Sequence, residues 1–164
     1  MFKAVVTDLD GTLLNNDKEV SEFSKEVINK IRDKGIKFFI ATGRSYPDTK
    51  RIMETIGIKV PLITSNGARI NDENGETIYA NDLEKKYSKK ILDMDYKKYG
   101  EEIFLNLYSD NKWFITEEMT RDPFKDLKHF LPNKITVDEA KELSISKFFF
   151  IGDHENLLKL EKEL

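Results

Sequence analysis

The sequence predicts an α/β fold: a partial doubly wound parallel sheet followed by a second α/β domain. Three observations point there. Short runs rich in β-branched and aromatic residues alternate with helical stripes between Lys3 and Ile63. The resulting order of strand, helix, strand, helix, strand requires parallel pairing through right-handed crossovers. Beyond Ala68 the pattern changes to hairpins with helices between them.

Each element has its own signal. "KAVVTD" (3–8) is a short apolar run that reads as a buried strand. A helix follows from Ser21 to Lys34, with Ser21 as N-cap, Phe23, Val27, Ile28 and Ile31 at helical spacing, and Gly35 as the stop. "IKFFIAT" (36–42) is the second strand. The second helix runs from Ser45 to about Ile56, with Ser45 at the cap, Pro47 in the first turn and Asp48 three residues after the cap. Gly57 ends it, and "VPLITSNGARI" supplies the third strand.

"ARINDENGETIYAND" then reads as a hairpin around Asn74-Gly75. From Leu83 a helix is expected to carry Tyr87, Ile91 and Met94 inward. "EIFLNLYS" and "KWFIT" form a strand pair joined at Asp110-Asn111, and a further helix is expected over 122–130, with Pro132 past its end. Two short units close the chain: "KITV" with "DEAKEL", then "ISKFFFIG" with "HENLLKLEKEL". The boundary falls near residues 80 to 84, giving domains of 1–83 and 84–164.

Composition narrows the function. The apolar fraction of 39% is enough for a core and argues against disorder. Charged residues are nearly balanced at net −3, so no basic face is available for nucleic acid or anionic lipid. The chain has no cysteine, which excludes a disulfide framework and suits a reducing cytoplasm. No apolar run approaches membrane-spanning length, and the start "MFKAVVTD" is too short for a signal peptide.

The stretch "AVVTDLDGTLL" carries the chemistry. Residues two apart on a strand share a side, so Asp8 and Asp10 face one spot and Leu9 faces away. Ligands of open parallel sheets bind beyond the carboxyl ends of the strands, where this pair sits. Two close carboxylates destabilise each other unless a cation bridges them or one keeps a proton. Either state is useful: Mg²⁺ takes such oxygen ligands, and a carboxylate can attack phosphorus while a protonated neighbour assists the leaving group. At the second strand end, "ATGRSYPD" presents Thr42, Gly43 and a helix N-terminus, which favours an anion, and Arg44 adds a bidentate oxyanion binder. The third strand end, "TSNGA", puts Ser65, Asn66 and Gly67 on the same rim.

With "DLDGTLL", "ATGR" and "SNGA" in that order and spacing, the sequence resembles the haloacid dehalogenase superfamily, and within it the Cof-type sugar-phosphate phosphatases with a large α/β cap. The resemblance implies a Rossmann-like core and an Mg²⁺-dependent phosphatase acting on a small phosphorylated metabolite. It implies that Asp8 is the nucleophile and Asp10 the general acid, later the base that activates water. Asp8 and the Asp10 carbonyl would bind Mg²⁺, the Leu9 and Gly43 amides and the Thr42 hydroxyl would hold the phosphoryl group, and Arg44 and Asn66 would contact substrate. Pumps of the superfamily carry threonine at the second acidic position and dehalogenases also lack this aspartate, so Asp10 favours a phosphatase or phosphomutase. The segment from about Leu83 resembles the cap that selects substrate.

Two further motifs of the family, a lysine and an acidic Gly-Asp loop, follow the cap, whereas this chain ends at Leu164 inside it. "FFFIGDHEN" is the one stand-in for the acidic loop, but it is better read as a strand turning into a helix with Asp153 near its N-cap. His129 and His154 have no metal-ligand spacing and are expected to be solvated. The expectation is therefore a weakly active or inactive fragment whose residues 3–8 form an exposed sheet edge, with a dimer covering that edge as the alternative. Other readings stay open: a phosphomannomutase-like isomerase, a phospho-acceptor or phosphate-binding module such as a receiver domain, and a purely structural protein.

Overall fold

The structure, a computed structural model, describes residues 2–118 and 131–164. The helix expected over 122–130, and His129 with it, lies outside the described residues. The chain divides into two compact units, Met1–Asn81 and Asp82–Leu164. No helix among the described residues is long and apolar enough to cross a membrane.

In the first unit, β1 (Ala4–Thr7) pairs in parallel with β2 (Lys37–Ala41), and β2 pairs in parallel with β3 (Leu62–Thr64). β4 (Arg69–Asn71) and β5 (Thr77–Ala80) extend the sheet antiparallel, in the order β1-β2-β3-β4-β5. The third strand is shorter than its apolar run, because Ser65, Asn66 and Gly67 break it with a tight turn before β4. β1 is an edge strand, as expected, and its Val6 is exposed.

The crossovers are α1 (Glu22–Asp33) and α2 (Tyr46–Thr55). Sequential strand order with right-handed crossovers brings both helices to one face of the sheet. Accordingly Ile28 of α1 and Met53 of α2 share a core with Phe38, Ile40, Leu62 and Leu9. Two expectations for α1 differ from the structure: Phe23 is 75% exposed and Val27 36%. At roughly 100° per residue Val27 lies on the flank of the stripe that Ile28 centres and Phe23 lies about 140° round, toward the far side, so apolar character alone misplaced them. Ser21 caps α1 through Ser24 N–H as predicted.

The Asn74-Gly75 turn forms as read. Asp72 Oδ1 accepts from Asn74 N–H and Glu76 N–H at 2.9 and 2.8 Å, and Gly75 adopts a φ of +93°. That φ is what favours glycine here; a Cβ would also stand 2.6 Å from the Tyr46 hydroxyl, the tip of a side chain that could move aside.

The second unit contains α3 (Lys85–Leu92), β6 (Phe104–Ser109), β7 (Lys112–Ile115), β8 (Asn133–Lys134), α4 (Val137–Glu142), β9 (Ile145–Ile151) and α5 (His154–Glu161). Its sheet runs β8-β7-β6-β9. The β6–β7 turn places Asp110 and Asn111 both at positive φ, the conformation a two-residue hairpin favours. Leu92, Leu105, Leu107, Ala140 and Ile145 form the core. α3 turns Ser88 and Leu92 inward and packs Ile91, partly buried, against the core as expected, whereas Tyr87 is exposed, contrary to the predicted face. Val137 belongs to α4 instead of a strand, because Thr136 and Glu139 form a reciprocal capping box just before it. Asp153 caps α5 through Asn156 N–H, as the sequence suggested, and the exposed His154 opens that helix.

Candidate active site

The acidic stretch leaves the strand earlier than its alternation implied. β1 stops at Thr7; Asp8 is still extended, and residues 9–13 form a wide turn closed by Leu14 N–H donating to the Leu9 carbonyl at 2.9 Å. Gly11 makes the turn feasible with a φ of +71°. Leu9 is fully buried in the core, so it anchors the turn while Asp8 and Asp10 stay exposed on either side of it. Asp8 Oδ1 accepts from Leu9 N–H at 2.7 Å, so this amide holds the carboxylate of its neighbour.

The repulsion between the two acids is resolved by a side chain. Arg44 Nε donates to Asp10 Oδ2 at 2.7 Å and Nη2 donates to Oδ1 at 2.9 Å, a bidentate pair across 34 residues. Lys18 Nζ adds a looser contact at 3.5 Å from a loop where its own φ is +62°. Asn15 builds that loop by accepting from Asp17 N–H and Glu19 N–H, both at 2.9 Å. Hydrogen bonding from Arg44, opposed by partial burial and reinforced by the charges of Arg44 and Lys18, holds the Asp10 carboxyl below the usual carboxylate range.

Thr42 and Gly43 follow β2 directly. Thr42 N–H donates to the Ile63 carbonyl at 2.9 Å, and its hydroxyl oxygen accepts from Arg44 N–H at 3.2 Å, which orients the hydroxyl. Ser45 holds the cap position of α2 by its backbone, but its side chain makes no capping bond. Nor does Asp48 reach back to complete a capping box. It takes Arg44 Nη1 at 2.5 Å and Arg51 Nη2 at 3.2 Å, since charge-assisted bonds to guanidinium outcompete a neutral cap. At the third strand end Ser65, Asn66 and Gly67 have φ of +51°, +58° and +93°. Ser65 N–H donates to the Arg44 carbonyl and Asn66 N–H to the Thr42 carbonyl, tying this strained turn to the second strand end.

Asp8, Thr42, Gly43, Asn66 and Gly67 line one cavity of about 400 Å³, floored by Ala41 and Ile63. The structure thus brings together four of the predicted site residues. Asp10 and Arg44 are paired with each other beside them, and Leu9 does not line the cavity: its amide is taken by the Asp8 carboxylate instead of facing a phosphoryl group, and its side chain belongs to the core.

A family model for haloacid dehalogenase-like hydrolases matches residues 5–164. The chain belongs to this family. Among relatives of the chain, a protein of Buchnera aphidicola (strain Bp), named provisionally as a phosphatase, is 38% identical over 167 residues, covering 99% of the chain and 61% of the relative. The HMP-PP phosphatase of Yersinia pestis (strain Pestoides F) is 29% identical over 168 residues, covering all of the chain and 59% of the relative. A solved haloacid dehalogenase-like hydrolase from Bacteroides thetaiotaomicron shares the fold with a TM-score of 0.79 at 22% identity, covering 100% of the chain and 63% of that structure. The chain therefore spans about three fifths of the length of the curated relatives it matches.

Sequence reasoning missed three members of the charged network at this site: Lys18, Arg51, and Asp48 in anything but a helix-start role. Arg44, Asp48 and Arg51 are spaced for one helix face, and that was the available signal. Lys18 left none, because a loop geometry sets its position. Among the described residues no group of three or more His, Asp and Glu side chains converges as a metal site.

Proposed function

We propose that this protein hydrolyses a phosphate ester of a small metabolite through an aspartyl-phosphate at Asp8. The observation that supports this most is the single cavity shared by the Asp8 carboxylate, the Thr42 hydroxyl and the Gly43 turn. Those groups offer a nucleophile and two anion-binding elements on adjacent parallel strand ends. In the first step an Asp8 oxygen attacks phosphorus, the bond from phosphorus to the leaving oxygen breaks, and Asp10 gives that oxygen its proton. In the second, Asp10 takes a proton from water as the water oxygen attacks phosphorus. The bond to Asp8 then breaks, releasing inorganic phosphate and the free carboxylate. Asp10 clamped by Arg44 is in the ionised form that the second step requires. For the first step, the oxyanion of the incoming ester competes for Arg44 and releases Asp10 to carry its proton.

Magnesium fits the donors. Mg²⁺ binds through one or two carboxylates, substrate phosphate and retained waters. The Asp8 carboxylate at the cavity and the Asp10 backbone carbonyl would hold it, since the Asp10 carboxylate is committed to Arg44 and Lys18. When bound, the ion would neutralise charge on the phosphoryl oxygens.

The test is a screen of p-nitrophenyl phosphate, phosphorylated sugars, nucleotides and HMP-PP, the last chosen from the name of the Yersinia relative. It is run on the protein as its gene encodes it, with Asp8→Asn and with chelated metal as controls. Each control is expected to abolish turnover. Activity that survives both would defeat the mechanism.

A further inference from the structure

Asp48 is a buried carboxylate that the proposed reaction does not use. It is 8% exposed in the first turn of α2, and both of its oxygens are spent on arginines: Oδ2 on Arg44 Nη1 at 2.5 Å and Oδ1 on Arg51 Nη2 at 3.2 Å. Arg44 is consequently held on two edges. Its Nη1 is fixed by Asp48, four residues along the same helix start, and its Nε–Nη2 edge is presented to Asp10. Arginine has a long, rotatable stem, and one bidentate contact to an exposed carboxylate leaves the guanidinium plane free to swing with its partner. A second anchor on the opposite nitrogen defines the plane and the direction in which the fork points. The anchor is itself steadied by Arg51 and by the α2 backbone, whereas Asp10 sits in a turn outside regular strand structure.

We propose that Asp48 is a positioning residue: it fixes the guanidinium of Arg44, and through it the orientation of the Asp10 carboxyl group. The inference rests on the reading of Asp10 as the acid–base residue, but its structural half stands without it. The arrangement is a pivot. Asp48 keeps Nη1 while the Nε–Nη2 edge exchanges one oxyanion for another, Asp10 for substrate. A simple helix-start role for Asp48 would need neither arginine.

Two measurements test this. The first is a double-mutant cycle on turnover of p-nitrophenyl phosphate by the protein as encoded, with Asp48→Asn, Arg44→Ala and the pair. Misplacement of a catalytic group by about an ångström costs up to roughly 100-fold. Asp48→Asn is therefore expected to lower kcat by about 30-fold with KM within about threefold, and to cost less than about twofold in the Arg44→Ala background. An equal loss in both backgrounds would show that Asp48 acts through stability alone and would overturn the proposal. Arg51→Ala, at a half-exposed side chain that does not threaten folding, is expected to reproduce the effect in smaller measure, again only when Arg44 is present. The second measurement needs no activity: the ¹⁵N-edited resonance of Arg44 Nε–H, an atom that does not touch Asp48. In Asp48→Asn it is expected to move toward the free-arginine position with at least about tenfold faster exchange. An unchanged Nε–H signal would refute the pivot even if the phosphatase reading holds. Absent turnover with the expected shift would refute the phosphatase reading and leave the pivot standing.

Discussion

Leu9→Ala tests whether one side chain anchors the acidic turn. Leu9 is fully buried and packs in the core that Ile28, Ile40, Met53 and Leu62 share, whereas its neighbours Asp8 and Asp10 are exposed. Truncating such a leucine costs about 3 kcal/mol, since its neighbours belong to two strands and two helices that cannot collapse onto the void. With an m value of about 1.2 kcal/mol/M for a unit of this size, the urea midpoint should fall by about 2.5 M. If the parent midpoint lies below that, the variant's first unit is unfolded without denaturant. The two units can be read apart, because the single tryptophan, Trp113, lies buried in the second. Far-UV circular dichroism follows α1 and α2 as well, while tryptophan fluorescence follows only the second unit. The expected result is a large shift in the transition that fluorescence does not see, and an unmoved Trp113 transition. A dichroism shift below about 0.5 M, or an equal shift in both signals, would refute the assignment of Leu9 to a core confined to the first unit.

Asp10 is held below its ordinary carboxylate range by Arg44, so its pairing stabilises the fold above that range and is lost as pH falls through the lowered value. Acid titration of stability should therefore be shallower in Asp10→Asn than in the parent below about pH 4, and identical slopes would count against the clamp. Trp113→Phe removes the indole N–H that donates to the buried Asn106 Oδ1 at 2.9 Å, leaving that oxygen without its partner. The expected cost is about 2 kcal/mol in the second unit by thermal unfolding, and a cost under about 0.5 kcal/mol would mean that the site relaxes around the loss. Thr136→Ala breaks the capping box of α4 and should cost about 1 kcal/mol in the same unit, read as faster amide exchange at Glu139.

The parts of the fold that local chemistry dictates were legible in the sequence. The β1-α1-β2-α2-β3 order follows from periodicity and from glycines at helix ends, and the turn at Asn74-Gly75 follows from the one residue able to take its φ. The convergence of Asp8 with Thr42 and Gly43 was also readable, because parallel neighbours end at one rim. Less was legible where two candidates competed. Phe23 and Tyr87 are apolar residues on the outward side of their helices, and composition cannot tell that side from the buried face. The side-chain choice of Arg44 was hidden for another reason. A guanidinium that suits an incoming oxyanion also suits a carboxylate already present, and Asp10 stands 34 residues away in sequence. Only geometry decides which anion it holds, and the same geometry gives Asp48 a role that its helix-start position concealed.

The central claim is that phosphate passes through the Asp8 carboxylate. It is tested most directly by borohydride trapping during turnover of a phosphoester by the protein as encoded, followed by peptide mass spectrometry. An acyl phosphate is reduced where a free carboxylate is not, so the account predicts a substrate-dependent conversion of Asp8 to homoserine that Asp8→Asn lacks. Phosphate release with Asp8 left unreduced, or with reduction at Asp10 instead, would contradict it.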